Sequence, residues 1–142
     1  MNIKLQINKT DHLTKSYISE LTNHATVDLE NINYDPGKEL AVIPFTRYRV
    51  VGGRKLLKLG EYQRDYNTPI QSRAVIRNIH NAEMEKADTC GDIKEITLIF
   101  GINIKESEIF FGSAEEASGK HCYGVSFFGD NLVLELEDIE KT

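Results

Sequence analysis

The imidazoles and thiols, the usual zinc ligands and the readiest nucleophile, are few: His12, His24, His80, His121, Cys90 and Cys122. Structural zinc sites draw two ligands from one turn, at spacings such as CxxC or HxxxH, and none of these residues is so spaced. His121 and Cys122 are adjacent, and neighbours on a strand point to opposite faces. Only one of the two can therefore share a site with His80 or Cys90. Cys90 lies in Asp88-Thr89-Cys90-Gly91-Asp92, between carboxylates that oppose thiolate formation, and no GxSxG elbow supplies a serine nucleophile. Carboxylate pairs occur at Glu106 and Glu108, Glu115 and Glu116, and Glu135 and Glu137. Acid–base catalysis needs two carboxylates in unlike environments, one of them desolvated, whereas these read as a wet acidic face. The sequence thus points to no metal, no cofactor and no catalytic residue.

Cations give a different signal. Residues 47–77 carry a net charge of +6 and the chain from Gly91 onward −7, within a total of −5. Arg47, Arg49, Arg54, Arg64, Arg73 and Arg77, with His80 just beyond, are the candidate binding residues. Such an asymmetry steers a charged partner, or else it is the solvated face of neighbouring strands. Arg47-Tyr48-Arg49 with Tyr62, Arg64 and Tyr66 mixes cations and aromatics, the ingredients of single-strand binding. An isoelectric point of about 5.4 speaks against nucleic acid, whose binding domains are usually basic. Val51-Gly52-Gly53-Arg54-Lys55 sets glycines beside cations but lacks GxxxxGK[ST], and reads as a turn.

The elements that must carry these residues follow from periodicity. Ile3, Leu5 and Ile7 alternate as in a short strand. Leu13, Tyr17, Ile18 and Leu21 recur at helical spacing between Asp11 and His24, with Thr10 or Asp11 as cap. Val27 and Leu29, then Ile32 and Tyr34, alternate with a phase slip that a β-bulge at Glu30-Asn31 would produce. Asp35-Pro36-Gly37 turns the chain into a strand from Glu39 to Val50. Its phase slips as well, from Ile43 and Phe45 to Tyr48 and Val50, and Pro44 predicts an edge or bulged strand. Lys55–Tyr62 reads as a short strand, Gln63–Pro69 as a loop, Ile70–His80 as a strand with one wet face, and Asn81–Asp92 as a turn or one helical turn. Ile96, Leu98, Phe100, Ile102 and Ile104 alternate without a break and predict one half-buried antiparallel strand. Ile109–Phe111, Tyr123–Phe127 and Leu132–Leu136 complete a meander.

These elements predict one domain over residues 1–142, of class α+β and mainly β. An N-terminal helix packs on a strongly bent antiparallel sheet or partly open barrel, with a two-sheet β-sandwich as the alternative. No apolar run reaches the roughly 18 residues of a membrane span, and the first residues lack the apolar core of a secretory leader. Two thiols in such a chain are expected to be reduced, and the cytoplasm is the expected compartment. The functional expectation is a non-catalytic binding or accessory domain that recognises another macromolecule, foremost a protein, in an inhibitor-like or immunity-like role. The alternative is an enzyme or small-ligand binder with Arg73, Arg77, His80 or a tyrosine desolvated in a pocket of the curved sheet.

Overall fold

Alternating apolar side chains bury one face of a strand, and this rule accounts for most of the architecture. The computed structural model describes residues 2–51, 63–86, 91, 93–113 and 122–139. Among them lie strands β1 (Asn2–Gln6), β2 (Thr26–Asp28), β3 (Asn33–Asp35), β4 (Leu40–Val51), β5 (Gln63–Arg77), β6 (Asn81–Lys86), β7 (Glu95–Thr97), β8 (Asn103–Ile104), β9 (Glu108–Gly112), β10 (Tyr123–Phe128) and β11 (Val133–Asp138), and one α-helix, α1 (His12–Leu21). Seven strands form a sheet in the order β1-β11-β5-β4-β2-β7, with β3 also on β4, and four form a second sheet in the order β6-β10-β9-β8. Every pairing is antiparallel. The class is α+β, mainly β, as the sequence predicts, with two sheets and no closed barrel among the described residues.

The core joins both sheets. Val27, Ala41, Ile43, Phe45, Ala74, Ile76, Leu134 and Leu136 come from the larger, and Ile104, Ile109, Phe111, Val125 and Phe127 from the smaller. Phe127 holds the aromatic centre, edge-on to Phe111 at 6.3 Å and to Tyr34 at 5.8 Å between ring centroids.

The unbroken strand expected over Ile96–Ile104 is instead two strands in different sheets. β7 ends the larger sheet, β8 ends the smaller, and Ile99-Phe100 turns between them. Gly101 makes this possible. Its φ is +69°, and a Cβ there would lie 2.1 Å from the Ser19 carbonyl oxygen of α1, so only glycine fits. The helix grips the same segment through Ser19 Oγ, which donates to the Ile102 carbonyl at 2.9 Å, and Thr22 Oγ1, which accepts from Ile102 N–H at 2.8 Å. Ile96, Leu98, Ile102 and Ile104 stay buried, but Phe100 is 79% exposed. Its place in the alternation did not put it in the core.

Other expectations are corrected too. Asp11 caps α1 by accepting from Thr14 N–H at 2.7 Å, yet of the four-residue stripe only Ile18 and Leu21 are buried, while Leu13 is 80% exposed. The slip after Leu29 comes from a 3₁₀ turn at Leu29–Asn31, capped by Asp28, and not from a bulge. β4 is a central strand with no slip at Pro44. This proline falls between the stretch paired with β3 (Leu40–Val42) and that paired with β2 (Phe45, Thr46), where no ladder bond is asked of it on that side. Gln63–Pro69 belongs to β5 and Asn81–Lys86 is a strand. Backbone pairing alone extends both, without an apolar face to mark them. The strand expected at Lys55–Tyr62 lies outside the described residues.

Cys122 is disulfide-bonded, which overturns the expectation of a reduced thiol; Cys90, the chain's only other cysteine, lies outside the described residues. Thiol titration of the unfolded, unreduced protein is therefore expected to find no free cysteine. Reduction should lower the unfolding free energy by about 2–5 kcal/mol, the usual cost of losing a native bridge. Two titratable thiols, or a stability indifferent to reductant, would contradict the bond.

Candidate functional site

Arg47 occupies an inward position. Ala41, Ile43, Phe45 and Arg47 share the buried face of β4, and Arg47 is 7% exposed. Its Nε and Nη2 donate to the two carboxylate oxygens of Asp138 at 3.0 and 2.8 Å, a bidentate pair. Ser72 Oγ donates to Asp138 Oδ1 at 2.7 Å. Burial works against the Asp138 charge, but the hydrogen bonds from Arg47 and Ser72 and the guanidinium charge outweigh it, holding the carboxyl well below its ordinary range. A cation expected to meet a partner is thus engaged inside the fold.

Arg73 and Arg77 lie on the outer face of β5. The register sets Arg73 opposite Glu137 on β11 and Val75 opposite Glu135. Arg73 Nε pairs with Glu137, and Arg77 Nε lies 3.4 Å from Glu135 Oε1, which Lys4 Nζ also approaches at 3.5 Å. The segments of opposite charge in the sequence meet here as a cross-strand ladder, largely cancelling on one face. Glu135 and Glu137 do point away from Leu134 and Leu136, as expected, and they are ion-paired.

His80 stands elsewhere, half-exposed between Glu39 Oε2 at 3.9 Å and Asp130 Oδ2 at 4.0 Å. Arg49 is exposed on β4, opposite Asp65. Arg64 is placed on β5 opposite Val50, and Arg54 lies outside the described residues. The described candidate side chains, Arg47, Arg49, Arg73, Arg77 and His80, therefore do not converge. A surface groove of about 300 Å³ runs along Asn2, Ile3, Lys4, Glu135, Leu136 and Glu137, and Arg73, Arg77 and His80 do not line it. Among the described residues no three His, Cys, Asp or Glu side chains gather in a way that would hold a metal ion, and no helix is long and apolar enough to cross a membrane.

A different group assembles near the Val51–Gln63 end of the β4–β5 ladder. The register shifts between Tyr48 and Arg49: Tyr48 faces Pro69 and Arg49 faces Asp65, so residues 66–68 bulge from the ladder. Asp65 pins the bulge, accepting from Thr68 Oγ1 at 2.6 Å and Asn67 N–H at 3.0 Å. These bonds also hold its carboxyl below the usual value. The bulge carries Tyr66 outward, 57% exposed, with its ring 5.0 Å from that of Tyr48 and 6.4 Å from His24, edge-on. His24 arrives from the end of α1 at φ +63°, its N–H held by the Leu98 carbonyl at 2.7 Å. The sequence names Tyr48 and Tyr66 beside the cations but gives no hint that His24 joins them. Asp65-Tyr66-Asn67-Thr68 is the local signal, an Asx-turn sequence that fixes the bulge.

Comparison of the chain with protein families, curated proteins and solved structures finds no match.

Proposed function

We propose that this chain is a non-catalytic binding domain that recognises another protein through the Tyr66 platform. One observation carries the reading: an exposed tyrosine, backed by Tyr48 and His24, stands on a bulge already fixed by Asp65. Tyrosine combines a large contact area with a polar tip and few rotatable bonds. A preordered anchor of this kind loses little entropy on binding. The paired charges on the outer face of β5 and β11 support this choice over the sheet surface that composition favours. A bridged Cys122 supports an oxidising compartment as its place of work, over the reducing cytoplasm.

The test compares wild-type protein with Tyr66→Ala. Proteins captured from the native source by the wild type are produced separately and titrated against both. Loss of at least tenfold in affinity in the variant, the order expected of an interface anchor, supports the reading. Equal affinity overturns it. So does tight, Tyr66-dependent binding of single-stranded oligonucleotide, the outcome that Arg49 beside two tyrosines would produce in a nucleic-acid binder.

A further inference from the structure

We infer that the free edge of β1 is a strand-addition site for an extended segment of a partner protein, with an acidic side chain facing Lys4. Among the described residues β1 pairs with β11 alone, Asn2 opposite Glu137 through Gln6 opposite Val133. In the same register, Ile7 N–H donates to the Leu132 carbonyl at 2.9 Å. Antiparallel ladders alternate bonded and non-bonded pairs, so Ile3 and Leu5 also turn their backbone groups to β11. Asn2, Lys4 and Gln6 turn theirs outward. Only the Gln6 carbonyl on that side is met, by Thr10 Oγ1 at 2.8 Å. Among the described residues nothing meets Lys4 N–H and C=O or Gln6 N–H, so they are open to a ladder, and the Thr10 bond marks where the added strand ends.

The side chains point the same way. Next to β1, Leu134 and Leu136 are fully buried, yet Ile3 and Leu5 on the same inner face are only half-covered. One more strand carrying apolar residues in phase with them would complete that face. Edge strands are usually blunted by proline, a bulge, an inward charge or a lysine on the edge; β1 carries the last of these, Lys4, and none of the others. Lys4, on the outer face, is the one cation along the edge, with its side chain 73% exposed. The occupant is not a second copy: antiparallel pairing of β1 with itself over all five residues sets Lys4 against Lys4, a like-charge pair that opposes association. A partner strand with a carboxylate there satisfies both backbone and charge, the mode of recognition called β-augmentation. The site does not rest on the Tyr66 platform, since β11 separates β1 from β5.

The experiment titrates the isotope-labelled full chain with the synthetic peptide acetyl-Thr-Val-Glu-Val-Thr-amide, and with a version carrying Lys for Glu. Amide exchange at Lys4 and Gln6 should slow at least tenfold at millimolar acidic peptide, while Ile3 and Leu5, already bonded to β11, change little. The Lys peptide should bind at least fivefold more weakly. Lys4→Pro removes an outward donor and leaves the β11 ladder intact; with its circular dichroism unchanged, it should abolish protection at Gln6. Lys4→Glu keeps the backbone and should reverse the preference between the peptides. Absent protection, equal binding of the two peptides, unchanged protection at Gln6 in Lys4→Pro, or dimerisation of the chain through β1 would each overturn the proposal.

Discussion

Phe111→Ala is expected to lower the unfolding free energy by about 3–5 kcal/mol, the range for emptying a buried phenylalanine site. Phe100→Ala should change it by no more than about 0.5 kcal/mol, as at other exposed positions. Both phenylalanines lie in apolar alternations of similar appearance. Phe111 is fully buried and edge-on to Phe127, so truncation leaves a cavity at the aromatic centre joining the two sheets. Phe100 stands on the turn that carries the chain from β7 to β8, its ring in water. Denaturant unfolding of the two variants measures the contrast. Equal losses, or the larger loss at Phe100, would mean that Ile96–Ile104 runs as one strand and that the crossing at Gly101 does not exist.

The second large effect belongs to Asp138. Asp138→Asn leaves the Arg47 guanidinium on the inner face without its counter-charge, and breaking a buried pair from one side typically costs about 3–5 kcal/mol. With side chains 9% and 22% exposed, the lower end of that range is expected. Replacing both partners, Arg47→Met with Asp138→Leu, should recover most of the loss, because the inward guanidinium is then gone together with its counter-charge. The folded carboxyl is held below its unfolded value, so its contribution is complete above the unfolded value of roughly 4 and is lost as pH falls further toward the folded one. The stability difference between wild type and Asp138→Asn should therefore be constant near neutrality and shrink steadily below about pH 4. Urea unfolding from pH 7 to pH 2 reads this directly. A difference that is small at pH 7, or that grows on acidification, would remove the ion pair as an internal support.

The legible parts of the fold are those where a strand has one wet face. Ile109 and Phe111, Tyr123 to Phe127, and Leu132 to Leu136 each announce themselves by period two, and each is a strand. Phe100 misleads because the alternation runs on through a turn; the glycine after it, in a positive-φ conformation, was the signal that outranked it. Arg47 misleads in the opposite way. A cation on the inner face interrupts the apolar period and mimics a phase slip, and what makes it tolerable, Asp138, is remote in sequence. Arg73 and Arg77 stand out in the sequence by charge alone, but their partners, Glu137 and Glu135, are fixed by strand order, which composition does not reveal. The Tyr66 platform needs His24, Tyr48 and the register shift at once, and only the bulge could be read locally.

The position of β1 beside β11 has a kinetic consequence. The β4–β5 and β9–β10 pairs each join successive described strands, whereas Asn2 meets Glu137 across nearly the whole described chain. Closing so long a loop carries an entropic cost that must be met before any of the β1 bonds can repay it. Topologies rich in such distant pairings reach the native state slowly. During synthesis, β1 emerges before the other described strands and waits longest for its partner. Until β11 leaves the ribosome, β1 lacks its β11 ladder, and the nascent chain carries Ile3 and Leu5 without their native neighbour.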